Sequence, residues 1–336
     1  MLTESQMSAI IRLTEQHDHT ALTSTLLQIM RDLLPADELG YYEIYNNSND
    51  LEFAEHNVAD ALVRNLLDGS RTGKRLGDQP GFVEAVLSGR TVNLPPRGDQ
   101  GHRSVIPVTG ARYVIGLLVV SGEADTAQCR EFIQTLVRIF GNMAMLVRQK
   151  EHDALTGLLN RPAFEQRLHR MLDYSRQRER RAGGRAPRLC LAMVDIDHFK
   201  QVNDEWGHMF GDEVLLHFSR LLTGSFRYYD IICRHGGEEF VVVLNDVGLE
   251  DALRVVERFR RTAEAYHYPQ VGTKTCSIGV VEVRPGELLS AVIDKADQAL
   301  YYAKSHGRNR VCAYEHLLDE GRLELKQAAA GDVELF

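Results

Sequence analysis

The apolar positions in the first half of the chain follow two different periods. Residues 2–16 and 20–34 repeat apolar positions every three or four residues, which is the spacing of an amphipathic helix. Strand-like runs come later, at residues 40–45 (GYYEIY), 104–108 (SVIPV) and 113–120 (YVIGLLVV). Helices, then strands and a closing helix predict an α+β domain that is built on an antiparallel sheet.

A long helical pattern over residues 126–152 closes this first half. Leu136, Ile139, Met143 and Leu146 have the a and d spacing of a coiled coil, but two heptads equally suit a helix that packs on its own domain. The segment HDALTGLLNRPAF follows, in which Asp153 or Thr156 could end one helix and cap the next. We therefore place a domain boundary near residue 152, with the first domain at residues 1–150.

In the second half, strand and helix patterns follow one another. A buried strand is predicted at residues 189–197 (LCLAMVDID), and it ends in carboxylates. Further strands are predicted for IICRH, FVVVL and residues 275–283, and helices for residues 211–226, 249–266 and 290–307. This pattern predicts a second α+β domain at residues 152–316, followed by a C-terminal tail at residues 317–336.

Composition narrows the class of protein. The 336 residues suffice for two domains, and 44% hydrophobic with 26% charged residues is typical of a globular protein. The net charge of −8 comes without a basic excess in either half, which argues against a nucleic-acid partner. The apolar run VIGLLVV is far shorter than the ~20 residues of a membrane-spanning helix. Five scattered cysteines and the absence of a signal-peptide pattern lead us to expect reduced thiols and a cytoplasmic location.

The stretch RHGGEEF at residues 234–240 interrupts a strand pattern with polar residues. The flanking runs IIC and FVVVL predict an antiparallel hairpin, in which Gly236 and Gly237 would supply the φ > 0 conformations of a tight turn. Glu238 and Glu239 bring nothing to the folding of such a turn, because adjacent like charges repel. We therefore treat both glutamates as candidates for chemistry.

Carboxylates also stand at the end of the predicted buried strand. The two-residue period of a strand puts Asp195 and Asp197 on one face, where desolvation is costly unless the side chains bind something. A strand-end carboxylate beside a hairpin-tip carboxylate can hold Mg²⁺, which prefers oxygen ligands and leaves positions open for a phosphate. Lys200 is suited to balance phosphate charge, and Lys304 and Arg308, four residues apart on a predicted helix face, could clamp a polyphosphate.

Six motifs in a fixed order carry a resemblance to a known family. They are DALTGLLNR, VDIDHFKQVND, GHMFGD, GGEEF (Gly236 to Phe240), CSIGV and ALYYAKSHGRN. Together they resemble the diguanylate cyclases of the GGDEF family, and the match covers nearly all of residues 152–315. The resemblance implies a palm-like fold with a central sheet flanked by helices. It also implies a reaction that joins two GTP molecules into cyclic di-GMP and releases two pyrophosphates.

The resemblance assigns a role to each matching residue. Asp195, Glu238 and the backbone carbonyl of Ile196 would be metal ligands for two Mg²⁺ ions per site, which Mn²⁺ could replace. Glu239 would help to deprotonate the attacking hydroxyl or hold the second metal. The phosphates would meet Lys200, Lys304, Arg308 and the backbone amides near His198 and Phe199. The guanine would meet Asn203 and Asp212, with His208 nearby.

The choice of base has a physical reason. Guanine presents donors at N1 and N2 that a carboxylate such as Asp212 accepts well, whereas adenine has neither donor. This residue therefore favours GTP over ATP. Because each domain would hold one GTP, the implied reaction needs two domains that face each other, and a homodimer is expected.

The segment RYYD, from Arg227 to Asp230, ends five residues before the two glycines. In the GGDEF family an RxxD at this offset is the inhibitory site for the product, cyclic di-GMP. Arg227 would stack on and hydrogen-bond to a guanine, and Asp230 would accept a hydrogen bond from its edge.

The first domain resembles a GAF sensory domain, an outline that PAS domains share, and its helix over residues 126–152 would carry a signal. The resemblance implies regulation by a small-molecule or protein signal that the sequence does not identify.

Two alternatives to a regulated cyclase stay open. One is a catalytically silent GGDEF module that binds GTP or cyclic di-GMP as an effector, and the other is a cyclase of relaxed base choice, which Asp212 disfavours.

Overall fold

A computed structural model describes residues 3–33, 38–45, 58, 61–65, 74–95, 102–110, 114–122, 127–182, 188–227, 230–284 and 286–323. The chain divides into two compact units, Met1–Ala154 and Leu155–Phe336. Within the described segments, every helix is too short or too polar to cross a membrane.

The first unit begins with two helices, alternates strands with short helices, and closes on its longest helix. Its helices are α1 (Glu4–Thr14), α2 (His19–Leu33), α3 (Phe82–Ser88) and α4 (Ala127–Glu151), with a 3-10 turn at Leu76–Asp78. Its strands are β1 (Glu38–Tyr45), β2 (Leu62–Asn65), β3 (Lys74–Arg75), β4 (Val92–Leu94), β5 (Arg103–Thr109) and β6 (Val114–Ser121).

These six strands form one antiparallel sheet in the order β3-β2-β1-β6-β5-β4. Successive residues of β1 point to opposite faces of the sheet. Tyr41 lies in a core with α1, α2 and α4, whereas Tyr42 lies in a core with α3. The predicted antiparallel sheet is therefore confirmed, as are α1, α2, β1, β5 and β6. The sequence patterns missed β2, β3, β4 and α3, which are too short to show a period.

Most of the apolar stripe of α4 is buried inside the first unit. Leu136 is fully buried, and Ile139 and Met143 pack partly buried against the same core. Leu146 alone of the four predicted a and d positions is exposed, with 60% of its surface accessible. The stripe thus favours the interpretation of a helix that packs on its own domain.

The second unit contains eight strands and six helices in its described part. The helices are α5 (Arg161–Ala182), α6 (Phe199–Trp206), α7 (His208–Ser225), α8 (Leu249–Ala265), α9 (Leu289–Ser305) and α10 (Tyr314–Asp319). The strands are β7 (Leu159–Asn160), β8 (Leu189–Ile196), β9 (Ile231–Gly236), β10 (Glu239–Asn245), β11 (His267–Tyr268), β12 (Gly272–Thr273), β13 (Cys276–Val283) and β14 (Val311–Ala313).

Six of these strands form the central sheet, in the order β14-β13-β8-β10-β9-β7. Strand β8 lies between β13 and β10 and is antiparallel to both, and all eight of its residues are buried. Its even-numbered residues pack towards α6, α7 and α8, and its odd-numbered residues towards α5 and α9. This double burial explains why β8 reads as a continuous apolar run, and it confirms the predicted buried strand and the helix-flanked sheet.

The start of α5 corrects one prediction. The helix begins at Arg161, where the side-chain oxygen of Asn160 accepts a hydrogen bond from the Ala163 amide at 3.1 Å. Thr156 instead accepts a bond from the Leu158 amide within a turn. Asn160 therefore caps the helix, and neither Asp153 nor Thr156 does so.

Candidate active site

Asp195 lies at the end of the central strand β8, between two neighbouring strands. Its Cα pairs with that of Glu239 on β10 and with that of Ser277 on β13. The side chain is only 7% exposed, and its Oδ2 lies 2.7 Å from the Nζ of Lys304 on α9. Burial raises the pKa of Asp195 to about 6, the ion pair with Lys304 opposes the rise, and the charges of Glu238 and Glu239 add to it.

The tip of the β9–β10 hairpin brings the glutamates to the same end of the sheet. Gly237 has a φ of 43°, and its carbonyl accepts a hydrogen bond from the Arg234 Nε at 2.9 Å. Gly236 ends β9 without a positive φ, so only one of the two glycines supplies the conformation expected of both. The Ile196 amide approaches the Glu238 carbonyl at 3.5 Å, which places Glu238 beside the end of β8.

The three residues expected to hold a metal, Asp195, Ile196 and Glu238, are therefore neighbours. Within the described part of the chain, no group of three His, Cys, Asp or Glu side chains converges as a closed metal cage. Asp195 is instead paired with Lys304. The donor set still fits a hard cation, since burial and the nearby charges of Glu238 and Glu239 both raise the pKa of Asp195, and an added positive charge stabilises its ionised form.

The burial of Asp195 gives a testable stability effect in the metal-free protein. The pKa of Asp195 is about 6 when folded, against an ordinary value of 3.8. The stabilising contribution of its protonated form is thus present below pH ~4 and lost as the pH rises through ~6, at a cost of up to about 3 kcal/mol. We expect Asp195→Asn to melt at a higher temperature than the parent at pH 8 in EDTA. The two melting temperatures should converge near pH 4, and a less stable variant at pH 8 would mean that the Lys304 ion pair outweighs burial.

The residues expected to bind the phosphates lie around the end of β8. His198 has a φ of 59° and precedes α6, so the first amides of α6 follow directly after β8. Phe199 is buried, whereas His198 and Lys200 are exposed. The helix terminus and the exposed Lys200 together suit an anion.

Arg308 does not share a helix face with Lys304, contrary to the sequence prediction. Helix α9 ends at Ser305, and Gly307 and Arg308 then adopt φ values of 106° and 58°. The Arg308 amide donates to the Ala303 carbonyl at 3.0 Å, as in a Schellman closure of a helix. Arg308 is thus presented from a loop, with its side chain exposed.

The two residues expected to read guanine come from adjacent helices, α6 and α7. A Cβ built on Gly211 would overlap the side-chain oxygen of Asn203, so Asn203 packs directly against the residue that precedes Asp212. Helix α7 begins at His208, earlier than predicted, which places His208 one turn before Asp212. Asp212 and His208 are both exposed.

Arg227 and Asp230 of the RYYD segment lie at the other end of the hairpin, just before β9. Asp230 Oδ2 accepts from the Arg227 amide at 2.9 Å, and Oδ1 accepts from the Asn245 amide at 3.1 Å. Burial raises the pKa of Asp230, and these two bonds oppose the rise. Arg227 is exposed, and Tyr228 and Tyr229 lie outside the described residues.

Sequence reasoning missed a basic surface near this turn. An open cavity of about 650 Å³ lies along α8, lined by Arg254, Glu257, Arg258, Arg261, Thr262, Ala265 and Tyr266. Arg258 Nη2 donates to the Ser225 carbonyl at 3.1 Å, two residues before Arg227. The helical spacing of residues 254, 258 and 261 is the signal that would have indicated it.

Asp197 does not join the carboxylates that are expected to bind a metal. It is 3% exposed, and its oxygens accept from the hydroxyls of Thr275 and Ser277, both at 2.6 Å, and from the Asn309 amide at 3.0 Å. The sequence grouped it with Asp195 because both end the same strand, but its acceptor sites are occupied within the fold.

Comparisons with known proteins find a family match in the second half of the chain. Residues 150–310 match the family model described as "Diguanylate cyclase, GGDEF domain". Diguanylate cyclase DgcP of Pseudomonas aeruginosa is 43% identical over 162 residues, which are 47% of this chain and 23% of that protein. Response regulator PleD of Caulobacter vibrioides is 39% identical over 165 residues, which are 47% of this chain and 35% of that protein.

A solved structure of the coiled coil and GGDEF domain of DgcB from Caulobacter crescentus, in complex with c-di-GMP, is 30% identical. It matches with a TM-score of 0.49 over 56% of this chain and 97% of that one. The family match and the two curated relatives support a GGDEF domain of the α+β class in the second half of the chain. The chain spans only about a quarter to a third of the length of the two curated relatives described above.

Proposed function

We propose that the GGDEF domain is a diguanylate cyclase that condenses two GTP molecules into cyclic di-GMP and two pyrophosphates. One observation carries this proposal. Asp195, Glu238, Glu239 and Lys304 meet at the end of β8, and the first turn of α6 follows immediately. Negative and positive groups that lie together at the ends of neighbouring strands suit a metal-bound polyphosphate.

In each step, the 3′-oxygen of one GTP attacks the α-phosphorus of the other, the bond to the β-phosphate oxygen breaks, and pyrophosphate leaves. Glu239 accepts the proton of the attacking hydroxyl, and Lys200, Lys304 and Arg308 hold the phosphates. Asp195, Glu238 and the Ile196 carbonyl would hold two Mg²⁺ ions or Mn²⁺. A bound metal supplies charge neutralisation at the phosphate and lowers the pKa of the hydroxyl.

Two copies of the domain must face each other, because each holds a single GTP and the reaction has two symmetric halves. A homodimer is therefore part of the proposal. The alternative is a catalytically silent module that binds GTP or cyclic di-GMP. Incubating the full chain with GTP and either Mg²⁺ or EDTA separates the two functions. Metal-dependent consumption of GTP supports the cyclase, whereas binding of GTP without consumption in Mg²⁺ or Mn²⁺ would favour the silent module.

We also propose that product binds beside Arg227 and slows the enzyme. Asp230 binds the amide of Asn245, the last residue of β10, and β10 begins at Glu239 in the active site. A ligand on this turn would therefore lie near one end of β10, whose other end carries Glu239, and would leave the GTP site free. The exposed Arg227 and the basic cavity along α8 suit the phosphates and the guanine edge of a cyclic dinucleotide.

Arg227→Ala is expected to remove most product inhibition, and it keeps the backbone amide at residue 227 that donates to Asp230 Oδ2 in the turn. Progress curves of the parent should flatten while GTP remains, and those of the variant should continue. The inhibition constant should rise at least about 10-fold, as expected for loss of a charged hydrogen bond. Arg220→Ala, at an exposed position on α7, is the matched control. Identical flattening of both variants would contradict an inhibitory role for Arg227.

For the first unit we propose a GAF-like regulatory role, with a small molecule or a protein as the signal. The proposal is supported by a six-stranded antiparallel sheet that carries α1, α2 and α4 on one face. Helix α4 ends at Glu151, immediately before the DALTGLLNR motif of the cyclase domain.

A further inference from the structure

The loop that carries Arg308 has an unfavourable backbone. Gly307, Arg308 and Asn309 adopt left-handed conformations in succession, with φ values of 106°, 58° and 47°. For residues other than glycine, such conformations cost about 1–3 kcal/mol each and persist only where surrounding contacts hold them. Interactions outside the loop must therefore fix the position from which Arg308 is presented.

Asn309 makes those interactions with three different groups. Its backbone amide donates to Asp197 Oδ2 at 3.0 Å, which ties the loop to the residue that follows β8. Its side-chain Nδ2 donates to Glu264 Oε1 at 2.7 Å, and its Oδ1 accepts from Arg260 Nη1. Asn309 is thus fixed both by Asp197, at the end of β8, and by two side chains of α8.

Arg260 is itself fixed in place on α8. Its side chain is only 10% exposed, and its guanidinium binds Glu257 through Nε and Nη2, at 2.8 and 2.9 Å, and Glu264 through Nη1 at 2.9 Å. These carboxylates raise the pKa of Arg260 further above its ordinary value, so the group is permanently charged. A planar fork with five donors can satisfy three partners at fixed angles, which an ammonium group cannot do.

We propose that Asp197, Asn309 and Arg260 form a positioning network that presents Arg308 to the triphosphate of the substrate. The inference rests on the proposed function, since it needs GTP at the end of β8. None of the three residues touches the reacting atoms. Their effect reaches substrate through the loop geometry alone, so it should concern the β- and γ-phosphates and spare the contacts to guanine.

The test compares the affinity for a non-hydrolysable GTP analogue with the affinity for GMP, which lacks the β- and γ-phosphates. Calorimetry serves for the analogue, and NMR titration serves for the weaker GMP. We expect Arg260→Lys to weaken binding of the analogue about 10-fold, the loss typical of a charged hydrogen bond, and to leave GMP unchanged. With GTP and metal, KM should rise more than kcat falls.

Asn309→Gly is a second variant that guards against misfolding. Glycine adopts the left-handed conformation freely and keeps the amide that binds Asp197, so only the side-chain bonds to Arg260 and Glu264 are lost. It should show the same selective loss as Arg260→Lys. Arg220→Lys, on the exposed face of α7, controls for the exchange of arginine for lysine.

Equal losses for the analogue and GMP, or no loss for either, would overturn the positioning role. A parent protein that binds neither nucleotide would instead overturn the proposed function itself. The two failures are therefore distinguishable in one set of titrations.

Discussion

Replacing Glu238 by glutamine is expected to abolish the formation of cyclic di-GMP and to leave the fold intact. The backbone carbonyl of Glu238, not its side chain, meets the Ile196 amide, and the turn depends on Gly237. Glutamine therefore preserves the hairpin. It removes one of the negative charges that cluster around Asp195 and would bind the cation.

The loss should exceed about 100-fold in kcat, because even groups outside the direct ligand shell of a metal are worth 10–100-fold. Circular dichroism and the melting temperature should match those of the parent, or show slight stabilisation through reduced repulsion at Asp195. Glu250→Gln is a suitable control, since that side chain is 77% exposed on α8. A Glu238→Gln variant with parental rates would refute the assignment of a metal ligand.

Replacing Asp212 by asparagine should change which nucleotide the domain prefers. A carboxylate accepts from both N1–H and the N2 amine of guanine, whereas the amide group of asparagine presents donors to one of those positions. We expect kcat/KM for GTP to fall about 10- to 100-fold, as for a lost charged hydrogen bond.

Inosine triphosphate makes this prediction specific, because hypoxanthine keeps N1–H and lacks the N2 amine. The parent should prefer GTP over inosine triphosphate, and the Asp212→Asn variant should lose most of that preference. Asp204→Asn, at an exposed position on α6, should retain it. An unchanged ratio in the Asp212 variant would show that guanine is read elsewhere.

The parts of the fold that follow from local patterns were predictable from the sequence. Strand β8 is buried on both faces, so its continuous apolar run identified it, and the β9–β10 hairpin followed from two runs around Gly237. Helix α6 was missed, because only Phe199 and Val202 are buried among its eight residues and no apolar period develops. The packing of α6 against α7, which its own residue pattern does not indicate, brings Asn203 against Gly211.

The contacts in the site between residues far apart in the chain could not be predicted from the sequence. Asp197 binds Ser277, Thr275 and Asn309, which are 80, 78 and 112 residues away in the chain, and no local spacing encodes such bonds. The separation of Arg308 from the face of α9 was also unforeseen. Continuing the helical pattern through Gly307 gave the wrong geometry, because left-handed residues end the helix before Arg308.

The identity and ratio of the products test the central proposal most directly. The purified 336-residue chain should be incubated with GTP and Mg²⁺, and the nucleotides separated by chromatography, identified by mass spectrometry and quantified together with pyrophosphate. We expect one cyclic di-GMP and two pyrophosphates for every two GTP consumed, and no product with Glu238→Gln. Formation of GDP and phosphate, or a linear dinucleotide with one pyrophosphate as the final product, would contradict it.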